Sequence, residues 1–310
     1  MQQLDYSSKP MPDEVDLKAL FAELWGKKIW LIAFALIVSV AAAGISLMMP
    51  NIYRSEALLA PVSSDQLGGA GLAGQFGGLA SLAGISLKSG SGDKTALGIE
   101  VLKSRQFFKE FIENRDVLVP LMATQEWQQA TRTLVINDSI YDVANQQWVR
   151  DAEPPFTQVP SVQEAHEKFL KLFSVTQDKA SGFVTIAVDH PSPDVAQQWV
   201  EWLVEDINAT IRDQDVLQAE RSINYLNEQI ASTSVIELQA GLFEMVQSQI
   251  ETIMLAKASP EYLFKTIDPA VVPQLKDRPR RAIIVILSGL LAGILGVVFL
   301  TFRYLWRRDV

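Results

Sequence analysis

The 310-residue sequence has no cysteine and two histidines, His166 and His190. Without cysteine there is no disulfide framework and no thiolate chemistry. The two imidazoles lie 24 residues apart, and neither has a neighbour at metal-ligand spacing, so each reads as a surface histidine. Basic charge is also scarce: 27 Lys and Arg stand against 36 Asp and Glu, a net of −9. Nucleic-acid binding needs a basic face, and this balance argues against it. A phosphate-binding loop is missing too. Gly68 to Gly92 holds nine glycines, but the Gly-Lys pair of the chain, Gly26-Lys27, precedes Lys28 rather than Ser or Thr. That tract reads as a mobile or partner-facing loop, with LASLAGISL at 79–87 suited to docking.

What the chain does have is two long uncharged runs. Ile29–Met49 and Ala282–Phe302 are 21 residues each. As helices they would reach roughly 31 Å, enough for the hydrocarbon core of a bilayer. Lys27-Lys28 precede the first run and Pro50 stops it; Arg278, Arg280, Arg281 and Arg303, Arg307, Arg308 bracket the second. A cleaved signal peptide is the alternative for the first run, since Ala41-Ala42-Ala43 offers small residues. The acidic 28-residue lead and the apolar run continuing past such a cut favour an uncleaved anchor. Lys27 and Lys28 against Arg54 place the N-terminus in the cytoplasm. Residues 50–281 then lie outside it, with 30 acidic and 20 basic side chains, and this region carries the acidity of the whole chain.

Between the runs the periodicity alternates between strand and helix. Residues 13–25 suggest a short amphipathic helix carried by Val15, Leu17, Leu20, Phe21 and Leu24, with Asp13 as N-cap, that either lies on the inner membrane face or simply leads into the first run. Ile52–Val62 reads as a strand and 93–115 as one helix with Ile99, Leu102, Phe107, Phe108, Phe111 and Ile112 inward. Residues 116–160 are mixed, with a strand at Thr133–Ile136, and 161–172 is helical. Phe173–Lys179 and Phe183–His190 flank Ala-Ser-Gly as a β-hairpin. A helix over 193–231 carries Trp199, Leu203, Ile207, Ile211, Ile223, Leu226 and Ile230, and would be roughly 58 Å long. Ser232-Thr233-Ser234 breaks it, and Val235–Lys257 folds back. Such a hairpin needs a neighbour, and other copies of the chain would supply one, with Ile207 and Ile211 as seam positions; a self-contained bundle is the alternative. A strand at 261–267 returns beside the first. Pro269, Pro273 and Pro279 then prevent a continuous helix from entering the second run. The fold class is α+β: two transmembrane helices flank an α/β base domain with a long projecting helical hairpin.

Glu201 and Glu205 sit four apart on a helix and could imitate an acid/base pair, but with no His or Cys to assist they read as a solvated face. In the second run Gly289 and Gly293 make a small-xxx-small pair, with Gly296 near the same face.

The entry DEVDLKALFAELWGKKIWLI, the strand YRSEALLAP, the proline segment and the glycine-bearing second run together resemble the Wzz-type chain length determinants, which are polysaccharide co-polymerases. Pro269, Pro273 and Pro279 fall where that family has its proline-rich motif, though unevenly spaced, and Gly289, Gly293 and Gly296 match its second span. The resemblance implies an inner-membrane protein with a cytoplasmic tail at 1–28, transmembrane helices at 29–49 and 282–302, a periplasmic domain at 50–281, and a cytoplasmic tail at 303–310. It further implies a homo-oligomeric ring that sets the length of a lipid-linked polysaccharide, O-antigen above all, made by a Wzy-type polymerase. No residue would be catalytic and no cofactor is implied. An export adaptor for capsule or another exopolysaccharide is the alternative from the same superfamily. Relatives with an added tyrosine kinase are not expected, because eight residues follow Phe302 and no Walker motif occurs.

Overall fold

The structure, a computed structural model, describes residues 25–62 and 91–308. The expected amphipathic helix at 13–25 lies outside them apart from Trp25, and the Gly-rich tract, including 79–87, lies outside them except for its last two residues. The chain forms two units: one holds the two apolar helices, the other residues 51–277.

In the first unit, α1 (Lys28–Met48) and α8 (Arg281–Arg308) pack together. Helix α1 ends where the sequence expects. Met49 precedes Pro50 and is extended, with ψ 134°, because a following proline disfavours the helical region. The spans Lys28–Met48 and Arg281–Arg303 have mean hydropathies of 2.5 and 2.9, and both are long and apolar enough to cross a membrane.

The second unit is built on a four-stranded sheet in the order β6–β7–β1–β8, antiparallel throughout: β1 (Tyr53–Pro61), β6 (Phe173–Gln177), β7 (Val184–His190) and β8 (Phe264–Asp268). Tyr53 opposes His190 and Leu59 opposes Val184, so Ala57, Leu59, Ile186 and Val188 share the face turned to the core. The expected hairpin is β6–β7, turned at Gly182, whose φ of 77° suits a residue without Cβ. Strand β8 begins at Phe264, three residues later than expected, and it does pair with β1.

Helices close the other side of the core. The helix expected over 93–115 is two helices, α2 (Ser91–Lys103) and α3 (Arg105–Arg115). Ser104 divides them: its backbone is extended, and its hydroxyl accepts from Phe107 N at 3.2 Å, as an N-cap does. Short helix α4 (Leu118–Ala123) leads into a hairpin of β2 (Thr124–Gln128) and β3 (Thr133–Ile136), and β4 (Tyr141–Asp142) pairs with β5 (Gln147–Trp148). Helix α5 (Val162–Leu172) follows, N-capped by Ser161. Phe169 on α5 is the hub of the core, with ring centroids 4.7 Å from Phe108, 5.1 Å from Phe173 and 6.4 Å from Trp199.

The longest element is α6 (Pro193–Ser232), 40 residues, started by the Ser192 cap and by proline in the first turn. Its length is roughly 60 Å. Helix α7 (Ile236–Ala258) folds back along it, and the Gln239 amide donates to Thr233 O at 2.7 Å across the turn.

Both histidines are buried, contrary to the surface reading: His166 is 7% exposed and His190 1%. Each nitrogen partner explains why. His166 Nε2 lies 2.9 Å from Lys103 O, a carbonyl at the end of α2 where the helix supplies no partner of its own. His190 Nε2 lies 3.2 Å from Pro120 O, and its Nδ1 accepts from Ser192 N at 3.0 Å. The imidazoles give Lys103 O and Ser192 N a partner, while Pro120 O also accepts from Thr124 Oγ1 at 2.6 Å.

Candidate membrane interface and assembly surface

The glycines of α8 decide how closely α1 can approach. A Cβ on Gly289 would stand 2.5 Å from Ser39 Oγ and 3.9 Å from Ser39 Cβ, and one on Gly296 would stand 2.7 Å from Leu31 Cδ2. Nothing lies within 4 Å of a Cβ on Gly293. Geometry explains the pairing. Seven residues bring a helix back to within about 20° of the same face, whereas four overshoot by more. The close-packed pair is therefore Gly289 with Gly296, and Gly293 faces open space. Trp30 and Phe34 stack with ring centroids 6.0 Å apart, and with Gly296, Phe299 and Phe302 they line an apolar groove of about 580 Å³.

Of the three prolines, Pro269 and Pro273 lie in a segment without regular structure that runs beside the start of β1. Ser55 Oγ donates to Val271 O at 2.8 Å, Asp277 N donates to Ile52 O at 2.9 Å, and Lys276 Nζ donates to Asn51 Oδ1 at 3.1 Å. Pro279 precedes the start of α8 by two residues, so helix enters the apolar run at Arg281 rather than from upstream.

Hairpin α6–α7 divides along its length. Trp199, Leu203, Ile207 and Ile211 are buried in the protomer's own core. The reading of Ile207 and Ile211 as seam positions is thereby corrected: at 0% and 3% exposure they belong to the buried core of their own chain. Farther along the hairpin, apolar side chains stand in the open. Leu217 and Tyr225 are exposed on α6, and Leu238, Phe243, Met245, Ile250 and Met254 on α7, with Phe243 and Met254 at 57% and 63%. That is the uncovered apolar surface a hairpin leaves when it lacks a neighbour.

The carboxylates are engaged as surface charges. Glu205 and Asp206 both receive Arg115 Nη2 at 2.7 Å, and the Arg115 guanidinium lies 5.4 Å over the Trp202 ring. The Asp206 hydrogen bond, with Glu205 adding to it, raises the Arg115 pKa. Glu201 accepts from Gln197. No Glu201–Glu205 acid/base pair is formed: one binds Gln197 and the other Arg115. Among the described residues no cluster of His, Asp and Glu is placed to hold a metal ion.

Residues 13–115 match the family model of Wzz, chain length determinant protein. The resemblance is a Wzz resemblance. The matched stretch covers α1, β1, α2 and α3 and stops at Arg115. Among solved structures, the chain is similar to a full-length bacterial polysaccharide co-polymerase, with 14% identity, TM-score 0.37, and coverage of 95% of this chain and 98% of that one. It is also similar to a fragment of WzzB, a polysaccharide co-polymerase from Salmonella Typhimurium, with 12% identity, TM-score 0.30, and coverage of 74% and 100%. None of the curated proteins matches the chain in sequence.

What the sequence reading missed is concentrated between 116 and 160. Trp127 and Arg132 sit on the β2–β3 hairpin, of which β3 alone was expected. Arg150 binds Glu164 through both guanidinium ends and donates to Thr157 O at 2.7 Å, holding the Pro154–Pro160 loop to α5. The signal was a lone arginine after an Asn-Gln-Gln-Trp stretch, which no short pattern distinguishes from a surface charge.

Proposed function

We propose that this chain is a non-catalytic co-polymerase that sets the length of a polysaccharide at the inner membrane. In this reading residues 29–49 and 282–302 span the bilayer and 50–281 form a periplasmic domain. Copies assemble through the outer half of the α6–α7 hairpin. The polysaccharide is lipid-linked O-antigen, and the partner is a Wzy-type polymerase. The observation that carries the reading is the Wzz family match over residues 13–115. Two helices of membrane-spanning length at either end of the described chain support it. The open apolar side chains of α7 support self-assembly.

The test is a gel of surface polysaccharide from cells lacking the gene, with and without the restored chain. Loss of a modal length on deletion, recovered on restoration, is expected. An unchanged length profile overturns the reading. Loss of exported polymer with its lengths unaltered would instead favour the export adaptor.

A further inference from the structure

The geometry points to a binding site for an anionic phospholipid at the end of the membrane unit where α1 begins and α8 ends, a proposal that rests on the spanning helices of the reading above. One acyl chain lies in the apolar groove of about 580 Å³ between the two helices, and the phosphate sits at its mouth, between Lys27 and Arg303. In that reading this end faces the cytoplasm.

Two contacts set the register of this antiparallel pair: Gly289 meets Ser39, and Gly296 meets Leu31. On that register Lys27 and Arg303 lie within one turn of each other along the helix axes. Both continue the stripes that wall the groove. Lys27, Trp30 and Phe34 are spaced three and four apart at the start of α1, and Leu295, Phe299 and Arg303 four apart on α8. Each basic residue thus stands about one turn beyond an aromatic ring of its own stripe. Arg303 is exposed and Lys27 half-buried. Neither α1 nor α8 has an acidic residue, so the helices themselves bring only positive charge to the mouth. Trp25, Trp30 and Trp306 are exposed around the same end, as tryptophan is at the level of lipid head groups.

The walls choose among occupants. Membrane helices meet through small residues that let backbones approach. Here the walls are the rings of Trp30, Phe34, Phe299 and Phe302, which hold a partner helix off, and Gly296 is already taken up by Leu31. Gly293, the glycine with open space beside it, is not in the lining. A flexible hydrocarbon chain fits between rings where a helix does not, and the volume lies within the roughly 300–1,000 Å³ of sites that hold small ligands. Every lining side chain is apolar or aromatic, so the polar part of the ligand stays at the mouth. Two cations there favour a head group with net negative charge over a zwitterionic one, whose own cation they repel. Basic pockets between membrane helices on the cytoplasmic side hold anionic head groups in this way.

The test is native mass spectrometry of the full chain released from micelles, titrated with dioleoyl phosphatidylglycerol and, separately, with dioleoyl phosphatidylcholine. The two lipids share their tails and differ in head-group charge. One phosphatidylglycerol per chain, bound about twentyfold more tightly than phosphatidylcholine, is expected. Lys27→Gln and Arg303→Gln should each lower that preference about fivefold, and together they should abolish it. Phe299→Ala should weaken both lipids alike, by about threefold or more, with the preference kept. Melting curves confirm that each variant is folded. Equal affinity of the native chain for the two lipids, an unchanged preference in the folded double variant, or unaltered binding by Phe299→Ala overturns the site. A benzophenone-bearing residue in place of Phe299 that cross-links to protein rather than to lipid in membranes overturns it too, since a helix then fills the groove. Carbonate extraction keeps the two ideas apart. A chain that stays in the membrane yet binds both lipids equally refutes the lipid site alone, whereas a chain released by carbonate refutes the spanning helices and the site with them.

Discussion

Asn208 and Phe264 are joined by two hydrogen bonds, one in each direction. Asn208 Oδ1 accepts from Phe264 N at 2.9 Å, and its Nδ2 donates to Phe264 O at 3.1 Å. The same oxygen accepts from Leu263 N at 2.8 Å. One amide from α6 thus does for the start of edge strand β8 what a neighbouring strand would do. Asn208 is buried, so removing it leaves three backbone groups without partners or water. Asn208→Ala should cost about 3 kcal/mol and lower the melting temperature by roughly 6–12 °C. Hydrogen exchange should show the amides of Leu263 and Phe264 losing protection first. If both stay protected, the amide is not what holds β8.

His190 makes stability depend on pH. Burial pushes the imidazole from 6.5 down to about 4, against the pull of its bonds to Pro120 O and Ser192 N, and Lys168 lowers it further. Between those values the unfolded chain holds the proton and the folded chain does not. Stability is therefore full above about pH 6.5 and declines as pH falls towards about 4. The loss attributable to this one ring is about 3 kcal/mol. His190→Gln keeps an amide donor and acceptor but does not titrate. Melting curves from pH 7 to pH 4 should fall less steeply for the variant than for the native chain. Parallel curves would show that the ring contributes nothing to the slope.

Much of the 51–277 unit is legible in the sequence because its strands and long helices carry strong periodicity. Leu59, Ile186 and Val188 alternate, and Trp199, Leu203, Ile207 and Ile211 repeat at helical spacing. Periodicity identifies a buried face but not what buries it. That is why Ile207 and Ile211 read as contacts between copies when they are core. Ser104 was passed over because one capping hydroxyl divides two helices whose apolar patterns run on across it. Strand β3 is legible through the Leu134-Val135-Ile136 run, whereas β2, β4 and β5 carry one apolar position each, too few to register as a pattern. His166 and His190 show the same limit: their burial depends on distant carbonyls of Lys103 and Pro120.

Two substitutions separate core from assembly surface. Ile207→Asp places an unpaired charge in the centre of the protomer core, so the chain should be lost from membranes altogether. Phe243→Glu combined with Met254→Glu changes two exposed side chains of α7, and protein level should be normal. Chemical cross-linking of membranes should then give a ladder for the native chain and a shortened one for the double variant. A full ladder from the double variant would remove this face from the assembly.

The contact between the two apolar helices can be tested by chemistry the chain itself lacks. There is no cysteine, so any introduced pair is read without background. The 3.9 Å between Ser39 Cβ and an ideal Cβ on Gly289 lies within the roughly 3.5–4.5 Å range of disulfides. Ser39→Cys with Gly289→Cys should close an intramolecular bond on mild oxidation of membranes, seen as loss of both maleimide-reactive thiols in a band that still runs as a monomer. Ser39→Cys with Gly293→Cys should remain reactive, because the structure gives Gly293 no contact in that direction. Bulk tells the same story. Gly289→Leu and Gly296→Leu each drive a side chain into α1 and should force the helices apart, whereas Gly293→Leu meets open space. If the Gly293 pair cross-links as readily as the Gly289 pair, the seven-residue register of the helix contact is wrong.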